Sequence, residues 1–166
     1  MRKYLIILCL YLIGCGVPKV STLNQFHESE VESYKQQGNA VVKGQLFSRT
    51  NSGDVKSGAG KEVYLIPNTP YFNERNQILK ECKQPENEID STAKSFVKTD
   101  IVDLQGNFEF SNIPAGKYLV TSQLYWTIPS GGPYGGVQMT GSFKVAEIAV
   151  TDDEILEVAF MDYCSR

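Results

Sequence analysis

From residue 38 onward the sequence predicts a mainly β fold, a seven-stranded antiparallel sandwich with one short inserted helix. Apolar and polar side chains alternate with period two in segment after segment, as half-buried strands require. Turn residues punctuate the chain where reversals are needed, at Gln105-Gly106-Asn107, Pro114-Ala115-Gly116 and Asp152-Asp153. A single stretch after Pro70 changes to helical spacing. The 166 residues are 42% hydrophobic and 21% charged, which suits one folded domain and is too apolar for a disordered chain.

The first fourteen residues stand outside that fold. Arg2 and Lys3 are basic, and Tyr4 to Ile13 form an apolar run ended by Pro18 and Lys19. The run is about half the length a membrane-crossing helix needs, so it reads as a secretion signal. Its end, Leu12-Ile13-Gly14-Cys15, resembles the lipobox of bacterial lipoproteins. That resemblance implies cleavage before Cys15, diacyl lipid on its sulfur and an acyl chain (palmitate) on the new amine. Gly16, standing where an Asp commonly retains such proteins in the inner membrane, implies the outer membrane. The alternative is an ordinary signal peptide with an incidental cysteine. Residues 15–38, polar with scattered Leu23, Phe26, Val31 and Tyr34, read as a lipidated tether. As a coil, about 23 residues span on the order of 25–30 Å.

The sandwich occupies 39–166. Strands are expected near Ala40–Arg49, Glu62–Ile66, Lys94–Asp100, Asn107–Ser111, Lys117–Ile128, Val137–Val150 and Ile155–Asp162. The fifth is clearest, with Tyr118, Val120, Leu124, Trp126 and Ile128 on one face and Ser122 its only polar member. Phe108 and Phe110 mark the inner side of the fourth strand; Leu156, Val158 and Phe160 mark the seventh. In the insert, 69–93, Asn68 or Thr69 caps a helix that Pro70 opens. Tyr71, Ile78 and Cys82 share its face with Phe72 and Leu79 alongside, and 83–93 follows as a solvated loop.

Cys9 leaves with the signal and Cys15 takes lipid, so Cys82 and Cys164 remain. In an exported protein such a pair reads as a disulfide, with two free thiols as the alternative. The bridge closes a loop of about 80 residues, which the chain-entropy account values at roughly 4–5 kcal/mol.

Three segments together resemble the carboxypeptidase regulatory-like family, whose fold is transthyretin-like. They are Val42-Lys43-Gly44-Gln45-Leu46 with Glu62-Val63-Tyr64-Leu65-Ile66-Pro67; Thr99-Asp100 with Gln105-Gly106-Asn107-Phe108-Glu109-Phe110; and Asn112-Ile113-Pro114-Ala115-Gly116-Lys117-Tyr118-Leu119-Val120. The match spans about residues 40 to 160. Two departures from the family matter: the helix and loop at 69–93 are longer than in the minimal domain, and no peptidase domain accompanies it. Members that stand alone resemble this chain best, and the family assigns them no single ligand.

Composition excludes several functions. Sixteen basic residues against nineteen acidic ones leave no basic face for nucleic acid. Removing Arg2 and Lys3 leaves fourteen against nineteen, a net charge of −5 for the mature chain. The one histidine, His27, lies in the tether, so neither a histidine-based nucleophile nor a metal site is expected, and no cofactor. The transthyretin-like hydroxyisourate hydrolases need several histidines and a characteristic tail that this chain lacks. Asp100 with Asp103, and Asp152-Asp153-Glu154, fall at turns, where carboxylates bond backbone N–H groups more often than they flank a cleft. Gly58-Ala59-Gly60-Lys61 lacks the full phosphate-loop spacing and reads as a turn.

The suggestive surface is the long Gly/Pro loop bracketed by Tyr125, Trp126 and Tyr134, where aromatics can stack on sugar or anchor a protein. Trp126 alternates with Leu124 and Val120 and reads as core, leaving Tyr125 and Tyr134 as the exposed candidates. The expected function is non-catalytic: a lipid-anchored interaction or structural module of the cell envelope, partnered by a membrane and an envelope protein or glycan. A carbohydrate-binding module and an inhibitor of an envelope hydrolase are the alternatives.

Overall fold

The computed structural model describes residues 17–50, 52–130 and 135–164. The body is a β-sandwich. Its larger sheet holds, in order, β12 (Met161–Tyr163), β10 (Val137–Val150), β9 (Gly116–Pro129), β5 (Glu62–Pro67) and β7 (Lys98–Ile101). The smaller holds β11 (Ile155–Val158), β2 (Ala40–Gln45) and β8 (Asn107–Ile113). Alternation delivers Val63, Leu65, Tyr118, Val120, Val42, Phe108 and Phe110 into the space between the sheets, each 5% exposed or less. Burying a large apolar side chain contributes roughly 1.5–3 kcal/mol, so this layer dominates the fold. Tyr118 keeps its hydroxyl bonded, donating to the Pro114 carbonyl at 2.8 Å, while burial pushes its phenol above the usual range.

Two expected strands divide. Leu46 is fully buried, and its backbone bonds Gly106 and Gly58 at 2.8 Å each. The chain therefore leaves the small sheet there, and β3 (Phe47–Arg49) pairs with β4 (Val55–Ser57) in a separate hairpin. At the other end, Ala159 and Phe160 carry the chain from β11 in one sheet to β12 in the other. Contrary to a wholly antiparallel arrangement, β11 runs parallel to β2, Ile155 opposite Val41 and Val158 opposite Gly44. The two strands start side by side, Val41 N–H donating to the Glu154 carbonyl at 2.8 Å. Nearly the whole domain separates them, and parallel pairing requires such a long connection.

A third layer covers the larger sheet. Helix α1 (Pro70–Lys80) opens at Pro70, where a missing N–H costs nothing. It buries Tyr71, Phe72, Arg75, Asn76 and Ile78. Tyr71 and Phe72 join Leu119 and Ala93 in a second apolar cluster, so β9 is buried on both faces. The stretch 83–93 is not a solvated loop. It supplies β6 (Gln84–Pro85) and most of a one-turn helix, α2 (Ser91–Lys94), whose first N–H groups the Asp90 carboxylate accepts at 2.8 and 3.1 Å. Ala93 is fully buried, which holds this turn helical and delays the strand expected from Lys94 until Lys98. Past the end of α1, Cys82 and Cys164 are bonded, with Cα atoms 5.0 Å apart. Beside them Lys80 pairs with Glu147 at 2.8 Å and lies over the Tyr163 ring.

The segment expected to be a flexible coil lies against this body. β1 (Lys19–Val20) pairs in parallel with β6. The Glu74 carboxylate accepts the N–H groups of Leu23 and Asn24 at 2.9 and 2.8 Å. Phe26 meets Tyr71 edge-on, Val31 is fully buried, and Tyr34 meets Tyr118 edge-on while donating to the Lys117 carbonyl at 2.9 Å. Gly38 closes the segment so tightly that a Cβ there would lie 2.1 Å from the Ile113 oxygen. Long-range aromatic contacts and paired amides offset the ordering entropy that a polar, aperiodic stretch cannot offset by itself.

Candidate functional site

Where β3 leaves the small sheet, an open groove of about 1030 Å³ forms. Alternation decides what faces it. Leu46 is fully buried and Ser48 is 4% exposed, so Gln45, Phe47 and Arg49 point outward. Phe47 is 49% exposed, an unusual position for a large apolar ring. Opposite β2, Asn107 is fixed between neighbours: its side-chain oxygen accepts from Gln45 at 2.9 Å and its nitrogen donates to Asp103 at 3.1 Å. The link between β11 and β12 contributes the half-buried Phe160. Beneath, Lys144 is 3% exposed and pairs with Asp162. The lining carries five carboxylates (Asp100, Asp103, Glu109, Glu157, Asp162) and three cations (Lys43, Arg49, Lys144), so the groove is net acidic.

The carboxylates near it serve the backbone. Asp103 accepts the N–H of Asn107 at 2.7 Å and that of Gln105 at 2.9 Å, and the Asn107 backbone bond holds its carboxyl below the usual range. Asp100 accepts from Ile101 and Glu109 at 2.9 and 2.8 Å. In the other acidic cluster, Glu154 is likewise held low by the backbone N–H of Thr151. At Gly58 a Cβ would meet Leu46 at 2.4 Å, while Gly60 takes φ +74° in open space, so the one glycine serves packing and the other the turn.

The aromatic loop divides differently from its expectation. β9 and β10 pair to their tips, Val137 opposite Pro129, and beyond Leu124 they form an arm past the core. Trp126 is half-buried rather than core, because the arm has no second sheet above it. Tyr125 is 50% exposed; its ring covers Gly141, where a Cβ would lie 2.4 Å from the ring. Its hydroxyl donates to Gln123 at 2.9 Å. Tyr134 and Cys15 lie outside the described residues.

A second hollow, about 550 Å³, lies between α1 and the larger sheet, lined by Tyr64, Ile66, Phe72, Arg75, Asn76 and Phe143 among others. Asn76 is 3% exposed and neither of its side-chain polar atoms has a protein partner. Arg75 lies over the Tyr71 ring and donates through Nη2 to the Asn87 carbonyl, leaving Nη1 unbonded.

Of the groove residues, Asp100 and Asp103 stand out in the sequence, as turn carboxylates; Gln45, Phe47, Arg49 and Asn107 are not among its candidates. The outward alternation of Gln45, Phe47 and Arg49 around buried Leu46 was readable; their meeting with Asn107 and Phe160, more than fifty residues away, was not.

No protein-family model matches the sequence, and no curated protein matches it. Among solved structures, the chain is similar to a Pseudomonas aeruginosa protein whose crystal structure is described as that of a proposed carbohydrate-binding protein. The TM-score is 0.71 at 25% identity, over 84% of this chain and 99% of that one.

Proposed function

We propose that this chain is a non-catalytic, lipid-anchored module of the bacterial cell envelope that binds glycan in the groove around Phe47. The anchor is Cys15, as the lipobox resemblance implies, and the outer membrane is its site. The observation that carries the glycan reading is the half-exposed Phe47 ring flanked by Gln45, Asn107 and Arg49. A sugar offers a C–H face that stacks on such a ring and hydroxyls that bond to planar amide and guanidinium groups. The likeness to a protein proposed to bind carbohydrate supports the same class. Five carboxylates against three cations disfavour uronic or phosphorylated polymers, so the ligand is a neutral or N-acetylated glycan. Tyr125 is a poorer sugar platform, since its ring packs over Gly141 and its hydroxyl is already donated to Gln123.

Calorimetric titration with N-acetylglucosamine and maltose oligosaccharides, and with polygalacturonate as the acidic comparator, tests this reading. Phe47→Ala should weaken the neutral ligand at least tenfold, about 1.4 kcal/mol, with an unchanged Tm. Tyr125→Ala should bind normally. Undiminished binding by Phe47→Ala, or preference for polygalacturonate, would sink the assignment.

A further inference from the structure

Between Cys15 and Val17, the first described residue, stands only Gly16. Two Cα–Cα steps reach about 7 Å, so a lipid on Cys15 brings Val17 to the membrane surface. The chain beyond Val17 is held to the body: Gln84 N–H donates to the Pro18 carbonyl at 2.9 Å and Glu86 N–H to the Val20 carbonyl at 2.8 Å. An anchor at Cys15 therefore selects which face of the domain meets the bilayer.

That face exposes large apolar side chains among uncharged polar ones. Val17 lines a hollow of about 260 Å³ together with Leu79, the Cys82–Cys164 bridge, Tyr125 and Met139. Val137 lies two residues from Met139 along β10, on the same side of the arm. Val17 is 40% exposed, Tyr125 50%, Met139 70% and Val137 76%. No carboxylate lines the hollow; its one charged lining residue, Lys83, pairs with Glu81 at 2.7 Å, and Gln84, Gln123, Thr140 and Ser142 complete the polar part of the lining.

We propose that Val17, Tyr125, Val137 and Met139 form a seat that rests on the phospholipid bilayer holding the molecule's own anchor. Tyr125, apolar in body and polar at its hydroxyl, sits at headgroup level, where such rings concentrate. Val137 and Met139 enter the first acyl methylenes beside it. The seat rests on the proposed anchor and is independent of the glycan groove.

The single tryptophan, Trp126, lies opposite Thr140 and shares a face of β9 with Leu124, away from Tyr125. The probe is therefore the Trp126→Phe/Thr127→Trp variant, since Thr127 lies opposite Met139 on the side of the seat. With Cys9 lost in the signal and Cys82 bonded to Cys164, Cys15 is the one remaining thiol of the mature chain. A maleimide phospholipid coupled there imposes the anchor whether or not cells acylate that residue. The coupled protein is then placed on phosphatidylethanolamine/phosphatidylglycerol vesicles brominated at shallow or deep acyl positions. The emission of that variant should fall at least twofold with shallow bromine and less with deep bromine. The double variant Val137→Asp/Met139→Asp should restore the emission without moving the Tm. Equal emission on brominated and plain vesicles overturns the seat, as does unrelieved quenching in the double variant. Mass analysis of the native Cys15 peptide decides the anchor separately: an unacylated residue sinks the anchor and with it the seat in the cell, whatever the coupled protein does.

Discussion

Asn76 is a buried amide whose side chain bonds to no protein group, on a helix face otherwise filled by Tyr71, Phe72 and Ile78. A polar group in that position forfeits its hydration, and the lost bond outweighs anything its packing returns. Leucine has the same branched skeleton and no polar atoms to desolvate, and the adjoining hollow has room for its larger methyl groups. Asn76→Leu should therefore stabilise the domain by about 1 kcal/mol, seen as a higher urea midpoint with an unchanged slope. A lower midpoint would mean that the amide is bonded within the hollow and that its polarity is structural. Phe47 presents the converse: an apolar ring left in water by a strand that buries the residues on either side. The first feature costs stability inside the fold, the second leaves apolar surface outside it, and only the second is accessible to a macromolecular ligand.

The segment 17–38 shows how weak local signals become a fixed element. Its anchors, Phe26, Val31 and Tyr34, follow neither a period of two nor of 3.6, so the sequence reads as coil. Their partners Tyr71 and Tyr118 lie 45 and 84 residues further along, a pairing that no local pattern announces. β9 was legible for the opposite reason: Tyr118, Val120 and Leu124 alternate strictly because one sheet face is buried. Its second burial, Leu119 against α1, was hidden because apolar residues on both faces blur the alternation. Glu74 supplies the test of the docked segment. The amides of Leu23 and Asn24, in that order, hold its carboxyl below the usual range. A depressed carboxylate contributes while ionised; the contribution is complete above the unfolded value, near pH 4.3, and is lost as pH falls through the lower folded value. Amide exchange at Leu23 and Asn24 should be protected at pH 7. Between pH 4 and 2, corrected for intrinsic rates, that protection should fall before that of Val120. Simultaneous loss at all three would mean that the segment opens only with the whole domain.

Charge sets how the proposed lipid-anchored molecule would meet a membrane. Cut before Cys15, as the lipobox resemblance implies, the chain would bear −5, with five carboxylates gathered at the groove, while the proposed seat has none. A basic protein would be drawn to anionic lipid and released by salt; this one should behave in reverse. At about 0.01 M salt the Debye length is about 30 Å, comparable to the domain itself, and the whole acidic body is repelled by phosphatidylglycerol. At about 0.15 M it is about 8 Å, and only groups close to the surface still sense the bilayer. Shallow-bromine quenching of the lipid-coupled Trp126→Phe/Thr127→Trp variant should therefore rise with salt on anionic vesicles. On purely zwitterionic vesicles it should stay flat, because no surface charge is present to screen. Quenching that falls with salt on anionic vesicles would mean that basic groups near the seat attract more than the remaining surface repels, so that local charge, not the net charge, sets the approach.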